Sequence, residues 1–346
     1  MGNTMLKASV LVVSRTADLL NSLLQSLDQA YSGVADAIEV ITSWNGSAED
    51  EHRIQAGRLP FRIAQRDPYH FAGNMNRLAR EAKGQILVFA NDDLIADPGS
   101  IDIAIDRLKQ RPEVGIVGAR LRTSNGQLAH AGIHFTSHGS PYHQLMDFAD
   151  AEHPANGRER LVPAVTGAFM AMRRNDFLAI EMRETFQACG EDVLLNLETR
   201  LTLHKHILFC PDMSGIHDAE STRRHFVQQQ ANDGDLQQMR FSWLETMELA
   251  NPDILRVELS AAQDEAEDLR SHCLQLTHNQ KQLIHQVAHL AAQETKQCLE
   301  RSILESDNKR LKAQVLQLSN QLAKPMGSLS HQSTCVAGAG WNMNIE

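Results

Sequence analysis

The 346-residue chain has no apolar run near the roughly 18 to 20 residues that span a bilayer, no closely spaced cysteines and no excess of positive charge. Each absence removes a class. Without a spanning run, an integral helical membrane protein is not expected. The five cysteines (Cys189, Cys210, Cys273, Cys298, Cys335) form no CxxC pair, which argues against a zinc site or a disulfide frame and for reduced thiols in a cytoplasmic protein. A net charge of -10, from 33 Lys and Arg against 43 Asp and Glu, supplies no basic field for a nucleic-acid duplex. The N-terminus runs straight into a strand-like stretch with no cleavable signal pattern, and "MGNTML" lacks the Ser or Thr that a myristoylation signal wants.

What is present falls into three textures. Residues 5 to 245 mix short apolar runs with helical patterns and read as one α/β domain. Residues 252 to 323 are rich in Gln, Glu, Leu and Ala, and residues 324 to 346 read as a disordered tail. In the middle segment Leu269, Leu276, Leu283 and Leu290 recur every seventh residue; Gln297 interrupts, and Leu304, Leu311 and Leu318 resume the register. That is a heptad, with Cys273, Gln280, Val287, Glu294, Arg301, Asn308, Val315 and Leu322 at the other core position. A helix of this length extends about 100 Å. It suits a weak homodimeric coiled coil through residues 252 to 323; a helix folded back on the domain is the alternative.

In the first segment "ASVLVVS" (8 to 14) reads as a strand, and Leu19, Leu20, Leu23, Leu24 and Leu27 follow at helical spacing. "AIEVITS" (37 to 43), "RLPFRIAQ" (58 to 65) and "QILVFA" (85 to 90) read as further strands, with a helix over "AGNMNRLAREAKG" closed by Gly84. This order implies a mostly parallel sheet with helices on both faces, in which ligands gather at the carboxyl ends of the strands. Asn91, Asp92 and Asp93 sit at such an end. Asp and Asn there either cap a turn or hold a cation. Later features could complete a metal-diphosphate site: Thr166 and Gly167 ahead of an apolar run, Glu191 and Asp192 opening a helix, and His217 in a polar loop after a short strand.

The ordered elements "NDDLIADPGSIDIAIDRL", "VGIVGARLRTSNGQLAHAGIHF", "VTGAFMAMRR", "GEDVLLN" and "CPDMSGIHDAES" resemble the family 2 glycosyltransferases, which have the GT-A fold, over residues 8 to 225. "NGQLAHAG" after "VGARL" is similar to the rhamnosyltransferase-like branch, and Asn76 and Gly84 match the family's Asn before a helix and Gly after it. The resemblance implies an inverting, metal-dependent hexosyl- or deoxyhexosyltransferase of surface polysaccharide or glycoconjugate synthesis. Its donor would be a nucleotide sugar, and its acceptor a glycan or lipid-linked hydroxyl at the membrane periphery. The metal, Mn or Mg, would be held by Asp93, Asn91 and His217, with Asn91 in the place of the usual first carboxylate. Asp192 matches the family's base, with Glu191 as second candidate.

Ser14, Arg15, Trp44, Asn45, Asn76, Asn91, Asp92, Thr166 and Gly167 are the donor-binding candidates. Trp44 stands where many relatives have Asp and would either stack on a nucleobase or pack. Among the dense histidines His130, His134, His138, His143, His204 and His206 no zinc spacing is found, and His130 is kept as a substrate contact. Two rival functions are a nucleotidyltransferase and an inactive transferase-like scaffold dimerised by its coiled coil. "VVSRTADLL" lacks the glycine cluster that the first usually carries.

Overall fold

The computed structural model describes residues 6–146, 149–218 and 229–322. The expected tail at 324 to 346 lies outside the described residues, as does Cys335; the other four cysteines are free thiols. β1 (Ala8–Ser14) leads into α1 (Ala17–Ala30), β2 (Ile38–Trp44), α2 (Ala48–Glu51), β3 (Phe61–Gln65), α3 (Phe71–Glu81) and β4 (Ile86–Asn91). Next come β5 (Leu94–Ala96), α4 (Ser100–Gln110), β6 (Val114–Arg122), β7 (Leu128–His130), β8 (Ile133–Phe135), β9 (Pro141–His143) and β10 (Arg160–Leu161). The remaining elements are β11 (Phe169–Arg173), α5 (Arg174–Ile180), α6 (Glu191–Leu201), β12 (His206–His217), α7 (Gln229–Glu248) and α8 (Pro252–Leu322).

A strand that is apolar at nearly every position must be covered on both faces, and β1 shows how. Val10 and Val12 join one buried cluster with Leu20, Leu23, Leu24 and Leu27 of α1 and Ile101, Ile105 and Leu108 of α4. Leu11 and Val13 join another with Met75 and Leu78 of α3 and Phe177 of α5. Each such side chain contributes about 1.5–3 kcal/mol relative to exposure. Strand order is β10-β12-β6-β11-β4-β1-β2-β3. β3, β2, β1 and β4 are mutually parallel, as expected, and β12 runs parallel to β6. Between these two groups β11 is antiparallel to both β4 and β6, so the sheet is mixed. Its first residues, not its last, therefore lie beside the carboxyl end of β4.

β12 corrects the expectation of a short strand followed by a loop. Pro211 has no N–H to give the ladder, and the register with β6 shifts between Cys210 and Ser214. After this bulge the strand resumes, pairs with β5 and ends at His217, opposite Leu94. His217 is thus a strand terminus held in register next to Asp93.

The chain forms two compact units, Met1–His272 and Cys273–Glu346. The first therefore runs past the boundary expected near 245 to 252. Ile254, Val257, Ala261 and Glu265 of α8 are buried at helical spacing, and Leu269, counted above as a heptad position, packs on the second cluster.

α3 ends at Glu81, ahead of the expected Gly84, because Ala82 is already extended. Gly84 has a different duty: a Cβ there would lie 2.2 Å from the carbonyl carbon of Ala8 and 2.3 Å from the Ser9 nitrogen. Gly84→Ala should lower the unfolding free energy by about 1–3 kcal/mol through forced displacement of β1. A urea midpoint equal to the parent's would show that β1 yields freely.

Candidate functional site

A cleft of about 930 Å³ opens at the carboxyl ends of β1 and β4. It brings together Ser14, Arg15, Asn91, Asp92, Asp93, Thr166, Gly167, Glu191, Asp192 and His217. These come from segments up to two hundred residues apart, and the sheet order explains their meeting. β1 and β4 are neighbours, β11 follows β4, and β5 pairs with the end of β12.

The acidic triplet divides its work. Asp92 is buried, and its Oδ2 accepts from Ser14 Oγ at 2.8 Å, tying the end of β4 to the end of β1. Desolvation raises its pKa from 3.8 to about 6; the neighbouring Asp93 pushes the same way, while Ser14 and Arg15 oppose it. Asp93 Oδ1 lies 3.1 Å from His217 Nε2, and Asn91 Nδ2 lies 3.3 Å from the same nitrogen.

At the other wall Gly190, with φ of 115°, supplies the left-handed residue from which α6 starts. A Cβ there would also meet Met239 Sδ at 2.7 Å. The first turn of α6 then presents Glu191 and Asp192. Asp192 Oδ2 accepts from Gly167 N at 2.7 Å and Thr166 Oγ at 3.3 Å, and Oδ1 from Val193 N at 2.8 Å. The carboxylate is oriented by the backbone on two sides, and as an anion at a helix N-terminus it is favoured.

Three candidates lie outside the cleft. Trp44 is 2% exposed, packs in the cluster under α1 and donates from Nε1 to the Ser47 carbonyl at 3.2 Å, so it packs and has no face for a nucleobase. The Asn45 N–H donates to the Ser14 carbonyl at 2.7 Å, and its side-chain amide donates to the Asp67 carbonyl. Asn76 clamps Met182 in both directions, Nδ2 to its carbonyl at 2.8 Å and its N–H to Oδ1 at 2.9 Å, a structural bond between α3 and the segment after α5. Conversely Tyr69, Phe71, Asn125, Gln127 and His143 line the cleft without having been singled out as site residues. Only their polar or aromatic character hinted at this.

His130 lines the cleft but is buried. His134 turns to Glu265 of α8 at 2.9 Å, and His138, His204 and His206 lie elsewhere.

Among the described residues no three His, Cys, Asp or Glu side chains form a self-sufficient metal site. The donor set nevertheless fits a hard divalent cation. His217 Nε2 faces a carboxylate oxygen and an amide N–H together, and one ring nitrogen cannot donate to the first while accepting from the second. A cation held by the imidazole lone pair and Asp93, with the Asn91 amide turned to offer its Oδ1, would satisfy all three groups. One carboxylate, one imidazole and an amide leave further positions of a roughly six-coordinate ion for substrate oxygens and water.

A family model described as glycosyltransferase like family 2 matches residues 9–239. The O-antigen biosynthesis protein RfbC of Myxococcus xanthus is 31% identical over 166 residues, 45% of this chain and 13% of that protein. The uncharacterized protein y4gI of Sinorhizobium fredii (strain NBRC 101917 / NGR234) is 29% identical over 133 residues, 36% of this chain and 14% of that protein. The matches thus span only 13% and 14% of these relatives' lengths. Among solved structures, mannosyltransferase PcManGT from Pyrobaculum calidifontis, in complex with GDP-Man and Mn2+, aligns over 75% of both chains with 15% identity and a TM-score of 0.46. GalNAc-T7 with UDP, GalNAc and Mn2+ aligns over 63% of this chain and 44% of that one, with 15% identity and a TM-score of 0.47.

The raised Asp92 pKa sets a pH dependence. The folded protein holds this proton up to pH of about 6, the unfolded chain only to about 3.8, so stability falls as pH rises between these values, by about 3 kcal/mol in the metal-free protein. Asp92→Asn should abolish that component, so the variant gains on the parent in urea midpoint from pH 4 to pH 7. Parallel profiles for the two proteins would contradict the assignment.

Proposed function

Since the chain belongs to glycosyltransferase family 2 and has the GT-A fold, we propose that it moves a sugar from a nucleotide-sugar donor to a hydroxyl of a glycan or lipid-linked acceptor, with inversion. The observation that carries this reading is the Asp192 carboxylate, fixed by Gly167 N–H in the cleft that also holds the Asp93–His217 pair. In a single displacement the acceptor oxygen bonds the anomeric carbon as the nucleoside diphosphate leaves from the opposite face. The acceptor hydroxyl gives its proton to Asp192, or to Glu191 as second candidate. Ser14, Arg15, Asp92, Thr166 and Gly167 line the donor side, and Tyr69, 41% exposed, offers the aromatic surface that buried Trp44 does not. Asp93, Asn91 and His217 would hold Mn or Mg, which supplies neutralisation of the charge developing on the diphosphate. The name of the Myxococcus relative supports a role in surface polysaccharide synthesis, and hexosyl or deoxyhexosyl groups are the proposed cargo.

Family membership sets aside the nucleotidyltransferase alternative. An inactive scaffold keeps one observation in its favour, an amide at Asn91 where a carboxylate is usual. Thermal unfolding separates the two: UDP, GDP or dTDP should raise the midpoint in the presence of Mn and not in its absence, and no response to any nucleotide would favour the scaffold. Asp192→Asn should lower transfer at least about 100-fold and leave that nucleotide response intact. Retained transfer would move the base to Glu191.

α8 beyond His272 presents Leu276, Leu283, Leu290, Leu304, Leu311 and Leu318, each more than half exposed. We propose that this stripe pairs with the same stripe of a second copy as a coiled coil. Ending the chain after His272, which keeps the part of α8 packed on the first unit, should turn a dimer into a monomer by light scattering. A full-length chain that is already monomeric would refute the pairing.

No helix among the described residues is long and apolar enough to cross a membrane. We propose a cytoplasmic enzyme that meets lipid-linked acceptors at the membrane periphery.

A further inference from the structure

Behind Asp192 lies a histidine pair that the transfer reaction leaves unused. His130, the last residue of β7, is 1% exposed, and its Nδ1 lies 2.8 Å from Nδ1 of His143, the last residue of β9. The rings meet edge to face, with centroids 5.0 Å apart. The Thr166 N–H donates to His130 Nε2 at 3.4 Å. These contacts fix the tautomers: Nε2 of His130 must present a lone pair, so its proton is on Nδ1 and is donated to His143, whose Nδ1 is then the acceptor. Burial, reinforced by His143, holds the His130 pKa well below the ordinary value, so this neutral form persists.

The peptide N–H that His130 holds is next to the one that orients the base. Thr166 gives its N–H to His130 and its hydroxyl to Asp192; the next N–H, that of Gly167, makes the 2.7 Å bond to Asp192. The histidine pair is itself braced. β9 pairs with β8, where Ile133 and Ala164 exchange backbone hydrogen bonds two residues before Thr166. Glu265 of α8 accepts from Tyr142 OH at 2.7 Å and from His134 Nδ1 at 2.9 Å, pinning the hairpin from outside.

We propose that His130 and His143 are positioning residues for the base: through the Thr166–Gly167 peptide they hold the Asp192 carboxylate in the orientation that accepts the acceptor's proton. A ring that is uncharged, rigid, a donor on one edge and an acceptor on the other suits this task, and among side chains only imidazole combines all four. The proposal rests on Asp192 being the base.

The test compares His130→Gln, which keeps an acceptor near the Nε2 position, with His130→Asn, which does not reach Thr166. Two readouts are needed. One is the crystal structure of each variant. The other is hydrolysis by the Mn-loaded full chain of whichever of UDP-glucose, GDP-mannose and dTDP-rhamnose it cleaves fastest. In His130→Asn the Gly167 N to Asp192 Oδ2 contact should open beyond about 3.5 Å. Its kcat should fall about 10- to 100-fold with donor KM within about twofold, and His130→Gln should restore both. In an Asp192→Asn background His130→Asn should slow the residual rate no further, because it acts through that carboxylate.

An unchanged Gly167–Asp192 contact in His130→Asn, equal losses in both variants, or additive losses in the double variant would overturn the proposal. If Asp192→Asn alone keeps the parent kcat, the base assignment is what fails, and the crystallographic contact still reports on positioning. Should His130→Asn not fold, the partly exposed His143 takes its place: His143→Leu removes the acceptor for His130, His143→Asn keeps one, and the same contrast is expected.

Discussion

The backbone of three consecutive residues, Thr166 to Ala168, joins the two walls of the cleft. The Ala168 carbonyl accepts from Asn91 N at 3.0 Å at the end of β4, Gly167 N–H holds Asp192 at the start of α6, and Thr166 N–H reaches His130 at the end of β7. A hydrogen bond to a charged carboxylate is worth about 1.5–3 kcal/mol, more than its neutral neighbours. The turn exists because β11 runs antiparallel between β4 and β6, so the chain must arrive at the ligand edge before descending into the sheet. Glycine suits its centre: a Cβ on Gly167 would lie 3.0 Å from that of Asp192. The cleft's geometry is therefore carried by backbone, and its polar side chains are attached to it.

This division explains what could be read from the sequence. β1 and α1 were legible because a doubly covered strand and a one-sided helix leave unmistakable apolar periods in Val10 to Val13 and Leu20 to Leu27. The start of α6 was legible from Glu191 and Asp192, which suit a helix N-terminus. Direction in the sheet was not: "FMAMR" reads the same for a parallel or an antiparallel strand. His217 read as part of a loop after a short strand, yet a bulge absorbed Pro211 and carried β12 on to His217. Trp44 could not be assigned a face, because β2 ends there and period alone does not tell which side of the last residue is covered. Asn76 carried a motif's position but not its role, since its partner Met182 is more than a hundred residues away.

The carboxylates of the cleft work against the fold that holds them. Asp92 is desolvated and faces a second charge on Asp93, and only Ser14 and Arg15 offset this. Such a cost is expected where charge is arranged for a ligand rather than for stability. The cation proposed for this cleft would relieve it, so the same residues that weaken the empty protein would favour the loaded one. β5 and β12 place His217 against the same acidic pair, 3.1 Å from Asp93.

α8 shows why a domain boundary can be invisible in sequence. Its buried positions 254, 257, 261 and 265 step by three and four, so that 254 and 261 are seven apart, the spacing of the leucines in the heptad that follows. A face that docks on a globular unit and a face that zips to another helix demand nearly the same period, so spacing cannot separate them. Chemistry can. The docking stretch carries charged groups with specific partners, Glu258 to buried Arg200 at 2.7 Å and Glu265 to Tyr142 and His134. Buried ion pairs add little stability over apolar contacts but penalise misdocking, since either partner left alone is a stranded charge. Glu258 ties α8 to α6 through Arg200, and Glu265 ties it to the hairpin of β8 and β9, whose last residue is His143. The helix thus braces the hairpin that carries His143 before its leucine stripe begins.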